Sequence, residues 1–342
     1  MAVALASVLT IHVSAQSMYE GQWIIDVRRD AGRIQLTLNY PNEKDGWGNS
    51  VTSSNVPPEQ LQGLSGAQMM SAGSQVRFQI VREAGTLDCE GWFREGRGSG
   101  HFVFSANPGF VSALRSRGFD SPNERQLFQL AINNTSLTFV DELKAQGYEP
   151  FTLDQLVRMG NYGVTLEYVR GLRAQGYNVQ SADLVTRMVD HGVSLNFIRE
   201  LDALGYKDLP VETLVRTRDH GVTPDFIREF RAFGYGVLPL DQLIRVRDHG
   251  VNAQFVKEVE AAGFSRLPLE QLVRMRDHGV TADYIKEVKE LGYNNVTVEQ
   301  LVRMRDHGVT ADFIKKMKAR GFNDLSVEEL IRLRDHGFDR IM

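Results

Sequence analysis

Five times in this chain the order Arg-x-Arg-Asp-His-Gly recurs, first from Arg216 to Gly221 and then at Arg245 to Gly250, Arg274 to Gly279, Arg303 to Gly308 and Arg332 to Gly337. Six of the eight histidines stand in one series, His191, His220, His249, His278, His307 and His336. Imidazoles beside carboxylates could ligate a metal, and rows of guanidinium groups could take an anion. Metal ligation fits the spacing poorly. Asp and His are sequence neighbours, which do not face one another on a helix. Equivalent residues of stacked copies sit roughly 8–10 Å apart, too far for two ligands on one zinc with bonds of about 2.1 Å. A histidine in the last turn of a helix instead complements the negative end of the helix dipole. No metal or other cofactor is therefore expected.

The arginines divide into two series. The first lies four residues after an acid in each copy, as Asp154–Arg158, Asp183–Arg187, Glu212–Arg216, Asp241–Arg245, Glu270–Arg274, Glu299–Arg303 and Glu328–Arg332, which is the favourable order for pairing within a helix. The second series, Arg218, Arg247, Arg276, Arg305 and Arg334, has no such acid. It either pairs with an aspartate of a neighbouring copy or faces a partner, and these five are the candidate partner-binding residues. No catalytic set accompanies them: His-Glu-x-x-His, Gly-x-Ser-x-Gly and a Gly-Lys-Ser phosphate loop are all missing. An enzyme would require Asp88, Glu90 or His101 to gather in a pocket. The lone cysteine, Cys89, lies between two acids and reads as a small apolar strand residue.

The elements that position these residues follow from two glycine series. Gly163 to Gly337 and Gly118 to Gly321 each step by 29 residues, and every member of the second precedes Phe or Tyr. Such a period marks a repeat architecture. Within a copy, Thr281 is a candidate N-cap, Tyr284, Ile285, Val288 and Leu291 recur at helical spacing, and Gly292 suits the left-handed position that ends a helix. A second helix starts near Thr297, its equivalents being Ser326-Val327-Glu328-Glu329, a capping box, and Pro210, Pro239 and Pro268. Asn134 stands where other copies have the closing glycine. Helices of about ten residues are marginal alone, so stacking must stabilise them.

Before residue 107 the period is two. Trp23 to Val27, Ile34 to Leu38, Val76 to Val81, Thr86 to Phe93 and Gly100 to Phe104 read as strands of antiparallel hairpins. Turns are expected at Asp30-Ala31-Gly32 and Glu95-Gly96-Arg97-Gly98, and a short helix or turn at Pro57 to Leu61. The expected fold is α+β: a small antiparallel β-sandwich or barrel at 17–106, then an α-solenoid of eight two-helix copies at 107–342. The β-domain should cap the start of the array. The apolar stretch from Met1, with Val13-Ser14-Ala15 before Gln16, reads as a signal peptide or its remnant over 1–16, lacking a basic start.

A net charge of −4 over 342 residues argues against nucleic acid, and no stretch reaches the ~18 apolar residues of a membrane span. The pairing of the two parts resembles uncharacterised bacterial exported proteins, and is similar to the C-terminal extension of some membrane metallopeptidases of the beta-lactam-sensor type. The residues that carry the likeness are Glu83-Ala84-Gly85-Thr86, Gly91-Trp92-Phe93, Gly96 to Phe104 and the copy beginning Gly221-Val222-Thr223-Pro224-Asp225. The resemblance implies a place outside the cytoplasm, periplasmic or extracellular, and a sensing or interaction role. The peptidase zinc motif is not among these residues, so it implies no protease activity. The chain is thus expected to be a non-catalytic exported scaffold that binds a protein or peptide along its repeats. The alternative is a small molecule or envelope glycan held by the β-domain, with the repeats as spacer.

Overall fold

The computed structural model describes residues 19–28, 33–42, 48–148 and 150–338. The segment 1–16 and the turn at Asp30-Ala31-Gly32 lie outside these residues. The chain divides into two compact units, one up to Val189 and one from Asp190 onward. The class is α+β, with six antiparallel strands followed by sixteen tandem helices.

In the first unit, β1 (Tyr19–Arg28), β2 (Arg33–Asn42), β3 (Gly48–Val56), β4 (Ser74–Arg82), β5 (Gly85–Arg94) and β6 (Arg97–Ala106) form one sheet in the order β3-β2-β1-β6-β5-β4. Two meanders are joined where β1 pairs β6, from Tyr19↔Phe104 to Asp26↔Arg97. The strands left open as a sandwich or barrel thus make a single layer, and its second layer is helical. Alternation sends Trp23, Ile25, Leu36, Leu38, Phe78, Leu87, Phe93, Phe102 and Phe104 inward, all buried. Onto them packs the second helix of the first copy, Glu124–Ile132, through Phe128. Its ring lies 4.6 Å from Tyr19, 4.9 Å from Tyr40, 5.4 Å from Phe104 and 5.8 Å from Phe102, centroid to centroid. The sheet therefore caps the array by burying one helix of it.

The β5–β6 turn is only two residues, Glu95 and Gly96, at φ 50° and 87°, the geometry that suits a tight hairpin. Arg97 and Gly98, expected in the turn, already belong to β6. Gly91 and Gly100 have a different task. A Cβ on Gly100 would fall 1.9 Å from the Glu90 carbonyl, and one on Gly91 2.5 Å from the Trp23 ring. The vacated space lets the fully buried Trp23 indole lie across β5 and β6, its Nε1–H shared between the carbonyls of Glu90 and His101 at 3.1 Å each.

The repeats follow the cap signals closely. Thr281, Thr297, Thr310 and Ser326 each accept an N–H of the first helical turn, and Pro224 opens its helix. At the other end, the Gly221 N–H bonds the Arg218 carbonyl and the Val222 N–H bonds the Thr217 carbonyl, a Schellman closure with Gly221 at φ 67°. Asn134 takes the same place at φ 52°.

Candidate functional site

The Arg-x-Arg-Asp-His-Gly motif ends the second helix of five copies, and its side chains reach the next or the preceding copy. The histidine is the C-cap residue, as in His220 and His249. Its ring reaches the aspartate one copy on: His191–Asp219 at 2.6 Å, His220–Asp248 at 2.7 Å, His249–Asp277 and His278–Asp306 at 2.6 Å, and His307–Asp335 at 2.8 Å, each Nδ1 to Oδ1. An ionised carboxylate only accepts, so Nδ1 donates. The helix-end position expected for the histidines holds, and a lateral bond comes with it that period analysis did not suggest. The first unit has a neutral version of the same bond, Asn133 Nδ2 to Asn161 Oδ1 at 2.6 Å.

The first arginine series also bridges copies. Arg216 meets Asp241 at 2.8 Å, Arg245 meets Glu270 at 2.8 Å, Arg274 meets Glu299 at 3.0 Å, and Arg303 holds Glu328 with two bonds of 2.6 and 2.7 Å. The hydrogen bonds from Arg303 hold the Glu328 carboxyl below its ordinary range. Pairing within the helix, the contact expected from spacing, is accompanied by a closer, hydrogen-bonded one between copies. A carboxylate four residues back does pull on the arginine, as Glu299 does on Arg303, but at longer range than the hydrogen-bonded acid of the next copy.

Within the chain, the second arginine series makes a contact that its spacing did not suggest. Each guanidinium lies over an aromatic ring of the preceding first helix: Arg218 over Phe197 (5.5 Å to the centroid), Arg247 over Phe226 (5.2 Å), Arg276 over Phe255 (4.7 Å), Arg305 over Tyr284 (5.0 Å) and Arg334 over Phe313 (5.3 Å). Arg218 and Arg276 also donate Nε–H to the carbonyls of Gly192 and Gly250, at 3.1 and 2.9 Å. The cation thus satisfies a carbonyl at the negative end of the neighbouring helix. Arg218, Arg247, Arg276 and Arg305 remain exposed.

A second set of latches joins the first helices by the same logic. Lys289 bonds the Ala262 carbonyl at 2.6 Å and lies over Phe264, and Arg231 bonds the Leu204 carbonyl and lies over Tyr206. In Tyr206 and Phe264 the aromatic residue after the closing glycine therefore has a role beyond filling the core. Tyr206, Tyr235 and Tyr293 in addition donate their hydroxyls to Leu238, Leu267 and Leu325 of the next copy, at 2.6, 2.7 and 2.8 Å.

No family model, no curated protein and no solved structure matches this chain. What the site can do is read from its own geometry.

Among the described residues, no three His, Cys, Asp or Glu side chains gather as a metal site. Asp88, Glu90 and His101 share the outward face of the sheet, with Glu90 and His101 cross-strand partners. Asp88 accepts from Gln79 at 2.6 Å and Glu90 pairs Arg77 at 3.2 Å. Cys89 faces inward and is buried, and its thiol is pushed far up by burial and the neighbouring Asp88. A groove of about 360 Å³ runs beside His101, lined among others by Gln22, Asn39 and Asn49. No described helix is long and apolar enough to cross a membrane.

Proposed function

We propose that residues 107–342 serve as a non-catalytic scaffold of an exported protein, binding a protein or peptide along the edge where the Arg-Asp-His motifs succeed one another. One observation carries this reading. Guanidinium groups stand at one-copy intervals, each held over a ring yet open to solvent in Arg218, Arg247, Arg276 and Arg305. A side chain already ordered loses less entropy on binding, and arginine presents a planar fork of donors to carboxylates and carbonyls. The test uses the full chain to capture partners from the envelope fraction of its source, followed by cross-linking to map the contact. Contacts should fall on the turns around 216–221, 245–250 and 274–279. Joint replacement of Arg247 and Arg276 by Gln should weaken capture at least tenfold. Contacts confined to the sheet, or capture indifferent to both replacements, would sink the idea.

A second reading rests on the outward face of β2 and β3. It carries Gln35, Thr37, Asn39, Asn49, Ser53 and Asn55 with no charge, Asn39 Oδ1 is buried without a protein partner, and Trp92 of β5 is 54% exposed. Neutral hydrogen-bonding groups, with an open indole on the same sheet beyond β1 and β6, suit a glycan. Retention on envelope polysaccharide that Trp92→Ala abolishes would favour it over the scaffold.

A further inference from the structure

The two edges of the sheet are guarded differently. β4 carries Arg77 and Arg82, and its middle is covered by its own chain, with reciprocal 2.8 Å bonds between the backbones of Gln62 and Gln79. Charge and cover of this kind keep an edge from recruiting another strand. β3 has neither. From Asn49 to Val56 it holds no charged residue and no proline, its nine Cα pairs with β2 run without a bulge, and β2 is its one partner among the described strands. Asn49, Val51, Ser53, Ser54 and Asn55 are exposed.

The order of residues says what fits there. Asn49-Ser50-Val51-Thr52-Ser53-Ser54-Asn55 reads almost the same in both directions about Thr52. We propose that β3 is an interface between two copies of this chain, pairing antiparallel with β3 of the second copy about a two-fold axis at Thr52. That register sets Asn49 opposite Asn55 of the other copy, Ser50 opposite Ser54, Val51 opposite Ser53, and Thr52 opposite itself. A two-fold contact must be self-complementary, and all these pairs but Val51 with Ser53 are like with like. Amides and hydroxyls both donate and accept, so Asn–Asn, Ser–Ser and Thr–Thr neighbours satisfy one another across the seam. With no charge in the segment, no pair is repelled. An apolar strand from another protein would find Val51 alone to pack on.

The experiment is sedimentation of the full chain over a wide concentration range. A species of twice the 38.5 kDa chain mass is expected. Asn49→Lys with Asn55→Lys puts lysine opposite lysine twice and should leave a monomer. Asn49→Lys with Asn55→Glu puts lysine opposite glutamate twice and should restore the dimer, which shows that the double-lysine chain fails at the seam and not in folding. Oxidised Thr52→Cys should cross-link copy to copy, since the native Cys89 is buried. A wild-type monomer at every concentration, a dimer that the two lysines leave intact, or dimers that form only after residues 1–18 are removed would each overturn the proposal.

Discussion

Thr217 and Val246 hold the same place in successive copies, both buried, yet one carries a hydroxyl. Met188, Met275 and Met304 fill that place elsewhere. The Thr217 Oγ1 finds no hydrogen-bond partner, and a buried hydroxyl without one costs about 1–3 kcal/mol. Thr217→Val keeps the shape and should raise the unfolding free energy by about 1 kcal/mol; a urea titration reads it, and a loss of similar size would show that the hydroxyl is bonded after all. At this scale much was legible. The caps at Thr281, Thr297 and Ser326 and the left-handed Asn134 follow from local chemistry alone. The unpaired hydroxyl does not, because satisfaction depends on neighbours that only folding brings near.

Between helices, the latches explain why the motif is so uniform. In the first arginine series a side chain has one acid in its own helix by spacing and another in the next copy by stacking, and sequence spacing displays only the first. Pairing four residues apart was therefore the visible part of the first arginine series, and the hydrogen bonds reach 25 residues along the chain. The same blindness hid β3, whose Ser, Thr and Asn residues show no apolar alternation. Glu142 gives the latches a pH test. Arg170 grips it with bonds of 2.9 and 3.2 Å, Gln146 adds another, and its carboxyl is held down to about 2. The ionised form is favoured by folding, so this contact stabilises fully above the ordinary carboxylate value and is lost as pH falls toward about 2. Glu142→Gln should melt earlier than the wild type at pH 7, and the gap should close below the ordinary carboxylate range. A gap that stayed constant with pH would assign the loss to packing instead of charge.

At the scale of the whole molecule, the sheet and the repeats are stabilised by different kinds of contact. Among the repeats, helices pack on their counterparts in adjacent copies, as Leu269–Asp277, Val298–Asp306 and Val327–Asp335 do in turn, so stability is close to a sum over copies and their interfaces. Leu243→Ala empties a buried site at a cost of about 2–5 kcal/mol. Hydrogen exchange should then quicken in Leu240–Asp248 and the adjoining copies while the strands of the sheet keep their protection. Equal loss everywhere would mean one cooperative block. The 29-residue period and the two-helix copy were open to reading because repetition amplifies a weak local signal. The strand order was not, since the β1–β6 pairing joins segments that nothing in the intervening sequence connects.

That pairing also sets a timetable. Tyr19 must wait for Phe104, and both wait for Phe128, before the sheet can close. The side-chain bonds described for the second unit reach no further than 32 residues along the chain. Short loops close fast, so each copy of that unit can consolidate as soon as its successor leaves the ribosome. A chain caught half-made would then hold finished copies behind its growing end, whereas a chain caught before residue 128 would hold a sheet with its aromatic face still open.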